Sequence, residues 1–221
     1  MPETTENIEE NSPVLKRTAA NNYSRRLADG RRESRRRASP EPPKSLSPAE
    51  LDSLFRVIKS KRDEAAFRVM YCKGLRVSEI GLLDLSDFDD RGGRLTIHRL
   101  KGSLSGTFGM HDKELRAMRA WVRERGTAPG PLFLSRNHRP ISDRRLRELM
   151  EHYCRRAGIA RALAHPHILK HTRGTLLLDE TGSLDVVADA LGHKQIQNTR
   201  IYAQTSDRRR EEAIARNRTK Y

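Results

Sequence analysis

The sequence predicts a mainly α-helical domain with one small antiparallel β-sheet, an α+β fold. Three observations carry that prediction. From residue 47 onward, apolar residues recur every three or four positions in successive segments, several opened by a capping residue or closed by a glycine. Between residues 92 and 111 the period changes to short apolar runs with β-branched residues. Residues 1–45 carry too few apolar side chains to offset the entropy of ordering them.

The elements follow in chain order. Residues 1–45 read as a disordered basic arm, acidic at the start and then rich in arginine and proline; between Lys16 and Arg37 nine Lys/Arg face two acids. That arm is either a segment that lies along phosphate or a solvated tail. Ser47, Pro48 and Glu50 form a helix start, and Leu51, Leu54, Phe55 and Ile58 then share a face. A second helix is expected over 62–73, stopping at Gly74, with a short one in "RVSEIGLL". "GGRLTIHRLKGSLSGTFGMH", broken by Gly102 and Gly106, predicts a hairpin. "DKELRAMRAWVRERG" returns to helical spacing, with Met110 and Met118 assigned to the core, and "LFLS" reads as a short extended piece. Ser142 caps a helix that ends before Gly158, and another ends at Gly182. "SLDVVADALG" is a helix, and "NTRIYAQTS" a further one with Asn198 as its cap. The catalytic-sized domain spans 46–206, followed by a charged tail at 207–221.

Charge gives the first functional clue. Lys+Arg is 44 against Asp+Glu 29, a net +15. A surplus of that size points to a polyanion, bound in a salt-sensitive way through counterion release. No apolar run reaches the roughly 18 residues of a membrane span, and no Trp- or Phe-studded amphipathic helix argues for a lipid surface. Cys72 and Cys154 are too few for a disulfide framework and read as free thiols, most simply as small packing residues.

Two stretches could carry chemistry. In "HPHILKHTRGT", His167, Lys170 and His171 share one helical face, with Leu169, Leu176 and Leu177 available to pack on the other. A phosphate-facing surface and a merely solvated one both fit. The H-x3-H pair lacks a third ligand at a telling distance, so no metal site is assigned. In "LGHKQIQNTRIY", Gly192 allows the turn that swings His193 around, and Tyr202 follows on the next helix. Tyr202 is either a core ring or a nucleophile beside a histidine.

Taken in order, "GLRVSEIGLLDLSDFD", "LKGSLSGTFGMHDKELRAMRAW", "HPHILKHTRGT" and "LGHKQIQNTRIY" resemble the catalytic domain of the tyrosine recombinase, or phage integrase, family over roughly 47–205. The resemblance implies that family's fold. It places the first active-site arginine on Arg76, the hairpin lysine on Lys101, the H-x-x-R motif on His167 and Lys170, the late histidine on His193 and the nucleophile on Tyr202. Position 170 departs from the pattern, since lysine keeps the charge of the usual arginine but loses its bidentate fork. Arg173, one turn on, and Lys194 are further residues expected against DNA phosphate. The resemblance also implies a short form, like the invertases of fimbrial switches, without the helical DNA-clamping domain that precedes the catalytic part of longer integrases.

What the family implies is a type IB transesterase. Tyr202 attacks a DNA phosphate, His167 accepts the phenol proton, Arg76, Lys170 and His193 hold the non-bridging oxygens, and Lys101 protonates the leaving 5′ oxygen. A 3′-phosphotyrosyl bond stores the energy for rejoining, so neither metal nor nucleotide cofactor is expected. The implied partners are double-stranded DNA, a homodimer on half-sites, a homotetramer in synapsis and accessory DNA-bending proteins. The expected location is the cytoplasm of a prokaryote. Two rivals stay open: a catalytically weakened DNA-binding regulator on the same fold, and a relaxing enzyme without partner exchange.

Overall fold

The helix start read at residue 47 closes as a reciprocal capping box. The Ser47 hydroxyl accepts the Glu50 N–H, and the Glu50 carboxylate accepts the Ser47 N–H at 2.8 Å. This opens α1, Pro48–Val57. The computed structural model describes residues 44–100 and 103–203. The arm assigned to 1–45, but for its last two residues, and the tail at 207–221 lie outside the described residues, as does Lys101.

Ser60 caps α2, Lys61–Lys73, which ends in the left-handed turn at Gly74. A four-residue α3, Val77–Ile80, follows. Strands β1 (Phe88–Asp89), β2 (Arg94–Ile97) and β3 (Gly106–Gly109) form an antiparallel meander in that order. Leu95 stands opposite both Phe88 and Phe108, and Leu95 and Ile97 point into the core. The hairpin was legible in the sequence; its third strand, two residues long, was not. Helix α4, Asp112–Arg125, then runs along α2. The extended piece expected at "LFLS" forms no ladder: Pro131 and Leu134 make isolated bridges to Asp84 and Pro140. It is held by burial of Leu132 and Phe133 and by Trp121, whose indole N–H donates to the Leu132 carbonyl at 2.9 Å.

Helix α5, Asp143–Arg156, packs on α1. Its Tyr153 donates a 2.7 Å hydrogen bond to the buried Asp63 carboxylate of α2. Helix α6, His167–Thr181, lies against α2 on one side and α7, Leu184–Leu191, on the other. The main core gathers α1 to α5 and the start of α6. A smaller cluster of Leu177, Leu178, Val187, Leu191 and Tyr202 seals the far end. Met118 is fully buried and Met110 packs at the margin, while Cys72 and Cys154 are free. Among the described residues no helix is long and apolar enough to cross a membrane.

One ion pair sits inside this framework. Lys73 Nζ meets Glu114 Oε2 at 2.9 Å, with both side chains buried. Burial pushes the Glu114 carboxyl up, and Lys73 pulls it back. Removing the lysine alone leaves a buried carboxylate unpaired, which costs about 3–5 kcal/mol, whereas replacing both partners with apolar groups is far milder. Urea denaturation should therefore show Lys73→Met much less stable than wild type, and the double variant Lys73→Met, Glu114→Met recovering most of the loss.

Candidate active site

The site begins where α2 stops. After Gly74 the chain turns into α3 with Arg76 at its N-cap. Glu79, wholly buried, accepts the backbone N–H of Arg76 at 2.8 Å and its Nη1 at 3.1 Å. Arg76 Nη1 also donates to Ser103 Oγ at 2.9 Å, and the Leu100 N–H donates to Glu79 Oε1 at 3.2 Å. One carboxylate thus fixes the arginine and, through it, the two residues that flank the undescribed positions 101 and 102.

Helix α6 supplies the next group. Its sequence face of His167, Lys170 and His171 is not uniformly solvated: His167 is exposed at the helix start, but Lys170 is only 6% exposed. Lys170 Nζ donates to the Leu191 carbonyl at 3.3 Å. Burial, helped by the Arg99 and Arg76 charges, lowers its pKa to about 8. His167, though exposed overall, is lowered first by partial desolvation of its ring and then by the His165, Lys170 and Arg76 charges.

Helix α7 ends at Gly192, and His193 follows. His193 Nδ1 lies 3.0 Å from Thr199 Oγ1, a fully buried residue. Burial first, then Lys170, Arg76 and Arg99, lower the His193 pKa to about 4, so the ring is neutral at pH 7. A 3₁₀ turn, Ile196–Asn198, comes next. Asn198 is therefore the last residue of that turn and not a helix cap; the helical stretch begins at 200 and Tyr202 lies in its first turn. The start falls one residue later than a cap at Asn198 would set it, because Thr199 closes the 3₁₀ turn, its N–H donating to the Ile196 carbonyl at 2.8 Å.

Tyr202 is a core ring whose hydroxyl also lies beside a histidine. Its ring is 1% exposed and belongs to the second core cluster. It lies flat enough on α6 that a Cβ on Gly174 would fall 2.6–2.9 Å from three ring carbons, so only glycine fits there. Its hydroxyl reaches His171 Nδ1 at 3.4 Å. Burial raises the phenol pKa well above its usual range. His171 is lowered to about 4, mainly by burial, and stays neutral.

The fold therefore brings Arg76, His167, Lys170, His193 and Tyr202 to one region. Arg173 goes elsewhere. Its guanidinium lies 5.9 Å from the Tyr71 ring centroid, in a cleft of about 750 Å³ lined also by Phe55, Cys72, His111 and Arg116. Lys194 is exposed beside His193. Sequence reasoning missed Glu79 and Arg99, and it set His171 on one face with Lys170 without placing it at the Tyr202 hydroxyl. Glu79 had a signal, the Arg-x-x-Glu spacing of a capping pair; His171 and Arg99 act through contacts distant in sequence.

Comparison with known proteins places the chain in a family. Residues 44–209 match the phage integrase family. The chain is 30% identical to the tyrosine recombinase XerA of Pyrococcus furiosus over 79% of this chain, and it spans only 62% of that protein's length. It is 30% identical to the type 1 fimbriae regulatory protein FimB of Escherichia coli K12, over 71% of this chain and 82% of FimB. Among solved structures, the XerH site-specific recombinase bound to palindromic difH substrate in a post-cleavage complex shares the fold, with TM-score 0.68 and 24% identity over 81% of this chain and 55% of that one.

The packing of Tyr202 on Gly174 can be tested directly. Spectrophotometric titration of wild type minus Tyr202→Phe should show a phenol that ionises only above the ordinary value of about 10. In Gly174→Ala the added methyl displaces the ring toward water, and the same difference titration should move back toward that ordinary value. Unchanged titration in Gly174→Ala would contradict the packing.

Proposed function

The chain belongs to the phage integrase family, and on that premise we propose that it cuts and rejoins DNA strands through a 3′-phosphotyrosyl intermediate. The observation that supports this reading most is the convergence of Arg76, Lys170 and His193 about the turn after α7, with the Tyr202 phenol against His171, the residue after Lys170.

The roles follow from charge and reach. Tyr202 Oη attacks phosphorus, a P–O bond forms, and the bond to the 5′ oxygen breaks. The phenol starts with a high pKa, so it needs a base and nearby cations. In the resting arrangement its hydroxyl faces His171; on DNA the ring leaves Gly174, and His167 takes the proton. Arg76 and Lys170 hold the non-bridging oxygens, and the neutral His193 donates a hydrogen bond to them. Lys101 protonates the leaving oxygen. A 5′ hydroxyl from another strand reverses these steps. Each step uses groups of this chain and the DNA alone, so the reading calls for no cofactor. We read the partners as double-stranded DNA, a second subunit on the adjoining half-site, a tetramer in synapsis and helper proteins that bend DNA. The basic arm at 1–45 and Lys194 add phosphate contacts, the tail at 207–221 passes to a neighbouring subunit, and the setting is a prokaryotic cytoplasm.

Nicked duplexes built from DNA flanking the gene provide the test. Wild type should yield an SDS-resistant, protease-sensitive adduct, and Tyr202→Phe none. Retarded DNA without an adduct would instead support a non-catalytic binder.

Lys170 adds a pH signature. A lysine holds phosphate oxygens only as the ammonium, which is lost as pH rises through its pKa of about 8. Cleavage at limiting DNA should fall above about pH 8 in wild type. Lys170→Arg, charged throughout this range, should lack that alkaline limb.

A further inference from the structure

We infer that Arg99 is a positioning residue for the proposed reaction, a single guanidinium that sets the spacing between the turn carrying Arg76 and the turn carrying His193. The inference rests on the strand-exchange reading above and adds to it a residue outside the implied set.

Arg99 follows β2 and is half-buried. Its Nη2 donates to the Lys73 carbonyl at 2.7 Å, and its Nη1 donates to the Leu191 carbonyl at 2.9 Å and reaches Gly74 O at 3.5 Å. These are the last carbonyls of α2 and α7. The negative ends of two helix dipoles therefore meet on one cation. A planar fork can serve two separate helix ends at once, which a single ammonium on a flexible stem cannot.

The surroundings leave little slack. Gly74 and Gly192 both have positive φ, at +58° and +63°. A Cβ on Gly192 would fall 2.6 Å from Arg99 Nε, and one on Gly74 would fall 2.4 Å from Leu191 Cδ2. The two turns and the guanidinium are in direct contact, with no room for a side chain between them. Arg76 is two residues beyond Gly74, and His193 is the next residue after Gly192. Lys170 donates to the same Leu191 carbonyl that Arg99 holds. The returning side of the hairpin joins at this point too: the Leu104 N–H donates to the Gly192 carbonyl at 3.1 Å, and Ser103 bridges His193.

Arg99 itself is not a catalytic residue. Its guanidinium nitrogens are turned to backbone carbonyls, and Nε is buried without a hydrogen-bond partner. It acts through the groups it spaces.

The test uses the full chain with two variants, Arg99→Lys, which keeps the charge and loses the fork, and Arg99→Met, which loses both. The first readout needs no DNA. In the folded protein His193 is faced by Lys170, Arg76, Arg99 and His171 and titrates at about 4. NMR of ¹⁵N-labelled histidine should show it moving up toward about 6.5 in Arg99→Lys, because the turn loosens and the ring is wetter. A change in overall stability alone would leave this value in place in the folded variant. The second readout is single-turnover cleavage of the nicked duplex, expected to fall about 10–100-fold in Arg99→Lys with DNA affinity nearly unchanged, the loss typical of a small misplacement of reacting groups. An unmoved His193 titration, or wild-type cleavage by Arg99→Lys, overturns the inference. If wild type itself forms no adduct, the strand-exchange reading fails, and the His193 titration still decides whether Arg99 sets the turn.

Discussion

The site is built around a shortage of negative charge. Arg76, Arg99 and Lys170 cluster in a largely buried region, and the one carboxylate named among the charges acting on Arg99 and Lys170 is that of Glu79. Cations held this way are costly unless their donors find acceptors. Glu79 accepts Arg76 twice, Ser103 accepts it once more, and the carbonyls of Lys73, Gly74 and Leu191 accept Arg99 and Lys170, leaving Arg99 Nε unpaired. Burial first, and the neighbouring cations after it, depress the basicity of Lys170 and His193. An anion arriving here relieves a strain already present in the free protein, which is a physical reason for such a pocket to take a phosphate of the DNA backbone.

The same economy explains the resting place of Tyr202. With so few aromatic residues in the chain, 5% by composition, the far end of the domain relies on this ring to cover Leu177, Leu178, Val187 and Leu191. Burial stabilises the cluster and raises the phenol pKa, so packing and reactivity oppose one another. Gly174 resolves the geometry by letting the ring lie directly on α6, with His171 at its hydroxyl. On the proposed reading, core residue and nucleophile are two states of one side chain rather than competing identities.

Much of this was legible in the sequence, for local reasons. Ser47, Ser142 and Ser183 cap the helices they precede, and Gly74, Gly182 and Gly192 follow the helices they close. Such signals are short-range and survive without tertiary context. The errors lie where tertiary contacts decide. Asn198 has cap chemistry, yet it is the last residue of a 3₁₀ turn, and the helix starts at 200. Residues 132–135 read as a short extended piece but pair in no ladder and are held by Trp121 and burial. The polar pattern of α6 left Lys170 open between a phosphate-facing and a solvated surface, because periodicity cannot reveal that α7 ends on top of it. Arg173 points toward Tyr71. Arg99 carried no signal at all, since its partners lie 26 and 92 residues away.

The charge deficit at Lys170 is the central claim, and the titration of Lys170 itself tests it most directly. Lysine labelled with ¹³C at Cε, with Lys170→Arg to assign the resonance, gives that titration by NMR in free protein and on a nicked duplex. The expected result is a value of about 8 without DNA and a rise on the duplex, as phosphate supports the ammonium. An ordinary value of about 10.4 in the free protein, or no change on bound DNA, would contradict a cation cluster that waits for a phosphate.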